Sequence, residues 1–127
     1  MEHPSILVVD DELLIRDLLY DFFQDQGWEI AVAESGEKAL EILREKKVDV
    51  LLTDLRMPVM DGMALTSEVR RDYPDMPVVI MTGYPSVDSA VSALRARVAD
   101  YITKPFSVND LYKRVESHLR REEEGAA

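Results

Sequence analysis

Ile6-Leu7-Val8-Val9-Asp10-Asp11-Glu12 is an apolar run that stops on a cluster of acids, and the same change from apolar to polar recurs along the chain. Val50 to Leu52 leads to Asp54, Val78 to Met81 leads to Thr82, and Tyr101 to Ile102 leads to Lys104. Glu29 to Ala33 is a weaker run of the same kind. Amphipathic segments of about 10 to 15 residues separate the runs, which is the alternation that repeated βα units and a parallel sheet produce. Strands of an open parallel sheet end along one edge, and ligands bind in the crevice outside it. Asp10, Asp11, Asp54, Thr82 and Lys104 would meet there.

Helical periodicity and capping residues fill in the rest. The first helix is expected to bury Leu14, Ile15, Leu18, Leu19 and Phe22 and to end near Gly27. Ser35 caps a second that buries Ala39, Leu40, Ile42 and Leu43. Asp61 and Gly62 open a third with Leu65 and Val69 inward, and a fourth carries Val87, Ala90, Val91 and Leu94 in register. Ser107, with Asp110 three residues on, starts a fifth that carries Leu111, Val115 and Leu119. Runs that are apolar throughout suit central positions with helices on both faces, whereas the second and fifth runs, with Glu29, Asp100 and Thr103, suit edges. A doubly wound α/β sheet in the order 2-1-3-4-5 satisfies this with right-handed crossovers. Its switch point lies between the first and third strands, where the acids are.

Composition narrows the function. The 127 residues suffice for one domain, read here as residues 1–120 with a charged tail, 121–127, expected to lack structure. A net charge of -10 argues against a nucleic-acid surface, which depends on clustered Lys and Arg. No Cys is present, so neither disulfides nor thiolate metal sites arise. No apolar stretch approaches the roughly 20 residues of a membrane span and Met1 to Ser5 has no signal-peptide layout, so a cytoplasmic location is expected.

Clustered carboxylates repel one another unless a cation intervenes. Carboxylate oxygens are hard ligands, suited to Mg²⁺, which bridges readily to phosphates. An Asp beside such an ion can attack phosphorus and form an aspartyl phosphate. Lys104 would offer a compact positive charge to the phosphoryl oxygens, and Thr82 a hydrogen bond.

At this point the motifs become specific. Val8-Val9-Asp10-Asp11-Glu12, Thr53-Asp54-Leu55-Arg56-Met57-Pro58 with Met60-Asp61-Gly62, Met81-Thr82-Gly83-Tyr84 and Asp100-Tyr101-Ile102-Thr103-Lys104-Pro105-Phe106 together resemble the receiver domain of two-component response regulators, the CheY-like superfamily. The resemblance implies the flavodoxin-like (βα)5 fold with the same strand order. It implies that Asp54 accepts a phosphoryl group from a phosphohistidine on a sensor histidine kinase or phosphotransfer protein. Asp11 and Asp54 resemble the side-chain ligands of Mg²⁺, with the Arg56 carbonyl as a third ligand and Asp10 acting mainly through a bound water. Lys104 resembles the residue that contacts the phosphoryl oxygens, Thr82 and Tyr101 the switch pair, and Lys104-Pro105 a cis peptide bond. Output, including a phosphorylation-dependent homodimer, is implied for the surface of the fourth helix, fifth strand and fifth helix. Asp100 and Arg114 would stand there, as an intermolecular pair or as solvated charges. Such a domain catalyses only its own phosphorylation and dephosphorylation, and neither membrane nor direct nucleic-acid binding is implied.

Other readings attach to the same residues. A Mg²⁺-dependent phosphatase with an Asp nucleophile is the enzymatic alternative, but Leu55-Arg56 after Asp54 lacks the second acid such enzymes use. A receiver-like interaction module that never takes phosphate is another. Glu12 reads as the start of a helix, Asp61 with Gly62 as a cap and turn, Trp28 as packing, and His3 and His118 as solvated. Two departures from the family pattern stand out. Arg97 and Val98 replace the usual Gly and Ala, so the end of the fourth helix is expected to be strained or reshaped. Arg56 and Tyr84, bordering the expected phosphoryl position, are large enough to hinder water and prolong the phosphorylated state.

Overall fold

The structure, a computed structural model, describes residues 3–126. Strands β1 (Ser5–Val9), β2 (Glu29–Ala33), β3 (Val50–Asp54), β4 (Val78–Thr82) and β5 (Asp100–Thr103) alternate with helices α1 (Leu13–Asp25), α2 (Gly36–Glu45), α3 (Gly62–Asp72), α4 (Val87–Arg95) and α5 (Val108–Ala126). All strand pairs are parallel, in the order β2-β1-β3-β4-β5, as the patterning predicts. β1, β3 and β4 are buried throughout, while β2 and β5 are the partly exposed edges. α5 carries its backbone helix through most of the segment expected as a tail, and Ala127 lies outside the described residues.

Strand alternation divides the core into two layers, because successive side chains point to opposite faces. Ile6, Val8, Leu52 and Met81 face α1 and α5, meeting Leu19, Phe23, Leu111 and Val115. Leu7, Val9, Leu51 and Ile80 face α2 and α3, meeting Ala39, Leu43, Leu65 and Val69. Trp28 is buried as expected, its indole N–H donating to the Tyr112 hydroxyl at 3.2 Å. Ser35, Asp61 and Ser107 cap their helices by accepting from the amides of Lys38, Ala64 and Asp110.

In α1 the buried stripe differs in part from the one expected, and in α4 the apolar row faces outward. In α1 the inward row is Ile15, Leu19 and Phe23, spaced by four, whereas Leu14 and Leu18 are 80% and 47% exposed. Those two leucines stand one position before the inward row, about 100° around the helix. In α4 the inward residue is Ala93, and the predicted row of Val87, Ala90, Val91 and Leu94 faces outward, with Val87 80% and Leu94 77% exposed. β5 is the edge of the sheet, and no described element beyond it covers this row.

Two charge readings also change. Asp100 and Arg114 form an ion pair within the chain, the Arg114 Nε donating to Asp100 Oδ2 at 2.9 Å. His118, expected to be solvated, is largely buried with Nε2 3.0 Å from the same oxygen. Both partners lie on α5, one turn apart, where β5 presents Asp100 to them. His3 is exposed as expected.

α4 ends as its sequence implies, with Arg97 in the left-handed region at φ 59°. The conformation is secured from α3: Arg70 donates to the carbonyls of Met76 at 2.5 Å, Arg97 at 3.0 Å and, at the outer limit, Ala96 at 3.4 Å. One guanidinium thus satisfies the carbonyls left open just past the α4 C-terminus and ties them to the loop before β4.

Candidate functional site

Strand register alone brings the acids together. Val9 pairs with Thr53 and Asp54 with Met81, so the residues after Val9 lie beside the end of β3. Thr82 pairs with Thr103, which puts Lys104 next along the edge. The resulting cavity, of about 220 Å³, is walled by Asp11, Asp54, Arg56, Thr82, Tyr84 and Lys104 among others.

Lys104 is the electrostatic centre. Its ammonium lies 2.7 Å from Asp10 Oδ2, 3.4 Å from Asp54 Oδ2 and 3.6 Å from Glu12 Oε1. Asp10 is fully buried and held on every side: its other carboxylate oxygen accepts from the Glu12 amide, and its carbonyl from the Arg16 guanidinium. Burial by itself would lower the Lys104 pKa, but the hydrogen bond and charge of Asp10, with the charges of Asp54 and Glu12, hold it above the ordinary value. Burial pushes Asp54 up to about 6, the Asp10 charge adds to this, Lys104 opposes it, and Asp11 contributes a smaller rise. A carboxylate so placed has a deficit of positive charge around it.

Asp10, Glu12 and Asp54 bring one carboxylate oxygen each within 4.8 Å of one another. Asp11 is exposed and stands on the cavity wall beside that trio. Glu12, read from sequence as a helix start, is indeed the N-cap of α1, but its side chain makes no capping bond and turns toward Lys104 instead. Its spacing of two from Asp10 was the available signal. Hard oxygen donors converging on a small polar cavity fit an oxygen-preferring divalent cation.

The remaining site residues are held by their neighbours. Thr82 is buried, its hydroxyl oxygen accepting from the Tyr84 amide at 3.0 Å. The Arg56 guanidinium sits 4.7 Å above the Tyr84 ring, a cation–π contact at the cavity wall. Tyr101 lies outside the cavity, half-buried, with its hydroxyl 2.6 Å from Ser89 Oγ, which in turn is 3.0 Å from the α4 cap Ser86 Oγ. Lys104-Pro105 is cis.

Gly62 has a role beyond the turn read from sequence. A Cβ there would lie 2.3 Å from the Asp54 carbonyl oxygen and 2.9 Å from Leu55 Cα, so α3 can begin against the end of β3 only with glycine at this position. The preceding loop turns at Val59, whose φ of 69° spans a bond from the Met60 amide to the Pro58 carbonyl. That is a γ-turn in its less favoured, positive-φ form.

Known proteins share this fold. The family profile described as "Response regulator receiver domain" matches residues 6–116. The transcriptional regulatory protein ZraR of Escherichia coli K12 is 41% identical over 118 residues, covering 93% of this chain and 27% of ZraR. The DNA-binding transcriptional regulator NtrC of the same strain is 38% identical over 127 residues, covering 98% and 27%. The chain thus spans about a quarter of the length of these relatives. Among solved structures, a CheY-like receiver domain protein from Methanospirillum hungatei JF-1 superposes with a TM-score of 0.93 at 28% identity, covering 97% of this chain and 98% of that one. The receiver domain of Francisella response regulator 1452 gives 0.87 at 32%, covering 94% and 99%. No helix among the described residues is long and apolar enough to cross a membrane. The chain belongs to the response regulator receiver domain family of two-component signalling systems.

Proposed function

We infer that the domain accepts a phosphoryl group on Asp54 and signals by the change this causes. The observation that carries the reading is the meeting of Asp54, Lys104 and the acids at one strand edge, with a Lys104–Asp54 distance of 3.4 Å inside a small polar cavity. In the transfer, an Asp54 carboxylate oxygen forms a bond to phosphorus as the phosphorus–nitrogen bond of a phosphohistidine on a sensor kinase or phosphotransfer protein breaks. Lys104 faces the incoming phosphoryl oxygens, and the Thr82 hydroxyl offers a hydrogen bond to them.

Asp10, Glu12 and Asp54, with Asp11 from the cavity wall and, as the family resemblance implies, the Arg56 carbonyl, are the groups that would hold Mg²⁺. When bound, the ion supplies positive charge against the phosphoryl oxygens, the main requirement of phosphoryl transfer. Asp10 holds Lys104 at the site through a 2.7 Å bond that is wholly buried on the Asp10 side.

A phosphoryl group stabilises whichever arrangement of Thr82 and Lys104 surrounds it best, and this biases the population of states. A Tyr101 hydroxyl that joins β5 to the first turn of α4 supports Tyr101 as the partner of Thr82 in the switch. The outward row on α4, with Val87 and Leu94 mostly exposed, supports that helix as part of the output surface, for a second copy or an output domain. Regulation of transcription, as named for ZraR and NtrC, would belong to a longer protein containing this domain.

Incubation with Mg²⁺ and acetyl phosphate tests the reading by intact mass. A hydroxylamine-labile gain of one phosphate, absent from Asp54→Asn, is the expected result. Its absence from the wild-type protein favours an interaction module, and catalytic turnover of a phosphate ester favours a phosphatase.

A further inference from the structure

At the opposite end of the sheet from the acids, a cleft of about 600 Å³ opens between α1, edge strand β2 and the loop from α2 to β3. Its floor is apolar: Ile6 and Trp28 are buried, and Ile30 and Ala31 on β2 are only half covered. Tyr20 lies along one wall, 37% exposed, and Lys46 and Lys47 form the other.

The lysines are the informative part. In a chain of net charge -10, neither ammonium has a carboxylate or other side-chain partner among the described residues. Asp49, two residues on, is engaged instead by the Ser5 amide and hydroxyl, at 2.9 and 3.1 Å. The backbone beneath the lysines is fixed, with the Lys46 amide donating to the Ile42 carbonyl and the Lys47 carbonyl accepting from Ser5 Oγ. Lys46 at the end of α2 also suits the helix dipole, but that accounts for neither the second lysine nor the apolar floor. A cavity of a few hundred Å³ with an apolar bed and a few convergent polar groups has the form of a small-molecule site.

We propose that this cleft binds a small aromatic anion, its ring on the floor beside Tyr20 and its acid group at the Lys46-Lys47 side. Charge selects the ligand: two lysines line the cleft against a single carboxylate, Glu29, and all three residues are exposed. Such a ligand would report to the domain from the end remote from Asp54.

8-Anilinonaphthalene-1-sulfonate is a suitable probe, since it combines aromatic rings with one negative charge. Trp28, the single tryptophan, stands in the floor and serves as an energy donor to it. Titration of the folded protein at pH 7 should give one saturable site with quenching of Trp28. Lys46→Glu with Lys47→Glu should weaken binding at least tenfold with unchanged circular dichroism, while Val87→Ser with Leu94→Ser on α4 leaves it unaltered. Absence of saturable binding at millimolar probe overturns the proposal. So does binding that survives the lysine changes or is lost with the α4 changes, which would place the probe on the other exposed apolar surface. Neither readout depends on phosphorylation, so failure here is distinct from failure of the Asp54 reading.

Discussion

Replacing Asp54 with Asn should stabilise the metal-free domain, by an amount that depends on pH. The folded carboxyl rises from 3.8 to about 6, so it binds its proton more tightly folded than unfolded. Below the unfolded value both states are protonated and Asp54 exacts nothing. As pH rises toward 6 the unfolded chain loses its proton first, and stability is lost until the folded carboxyl has also ionised. At about 1.4 kcal/mol per pH unit the full difference amounts to about 3 kcal/mol. Solvent at the cavity mouth reduces this to about 1–2 kcal/mol. Asn keeps the shape and removes the charge, while Lys104 retains Asp10 at 2.7 Å. Urea unfolding in chelator-containing buffer at pH 7.5 should therefore show the Asn variant's midpoint raised by about 0.5–1 M, with little difference near pH 4. A variant less stable than wild type at pH 7.5, or equally stabilised at both pH values, would refute the account of the acid cluster.

Four further outcomes follow from other parts of the molecule. Gly62→Ala should cost about 2–3 kcal/mol by chemical denaturation, because the added methyl meets the Asp54 backbone rather than a movable side chain. Val59→Gly should raise stability by about 1 kcal/mol, since a β-branched residue at φ 69° and 94% exposed loses strain and little packing. For Asp100, burial would raise the pKa, but hydrogen bonds from Arg114, His118 and the Tyr101 amide prevail and hold it below the ordinary 3.8. Its stabilisation is present above that value and lost as pH falls through the folded one, so Asp100→Asn should cost about 1 kcal/mol at pH 7 and progressively less in acid-unfolding curves toward pH 2. Arg56→Ala with Tyr84→Ala should shorten the half-life of the phosphorylated protein several-fold, measured by loss of the phosphate mass, if the stacked pair at the cavity wall hinders water.

Where the chain ends its strands, sequence was a sufficient guide. A continuous apolar run closed by Asp, Thr or Lys specifies both a buried parallel strand and the polar edge beyond it, so the register of Asp10, Asp54, Thr82 and Lys104 followed. Helix faces were less legible. Leu13, Leu14, Ile15, Leu18 and Leu19 cover more than one side of α1, and periodicity does not say which stripe meets the sheet. In α4 the best-aligned apolar row is the outward one, because a small residue, Ala93, makes the close approach. Long-range pairing was least visible: nothing local to Asp100 marks His118 and Arg114 as its partners, and nothing local to Gly62 shows the backbone of Asp54 against it.

The two ends of α4 are tethered by bonds of different character. Hydroxyls of Ser86, Ser89 and Tyr101 hold the first turn, whereas the Arg70 guanidinium grips the segment after the last turn through carbonyls on separate elements. A rod so mounted behaves as a lever with its fulcrum at Arg97. Its length of about 13 Å means that each 10° of tilt sweeps Val87 through about 2 Å. Loss of one hydroxyl contact at Tyr101 would free the long arm while the fulcrum stays in place, so displacement would be largest at Val87 and smallest beside Arg97.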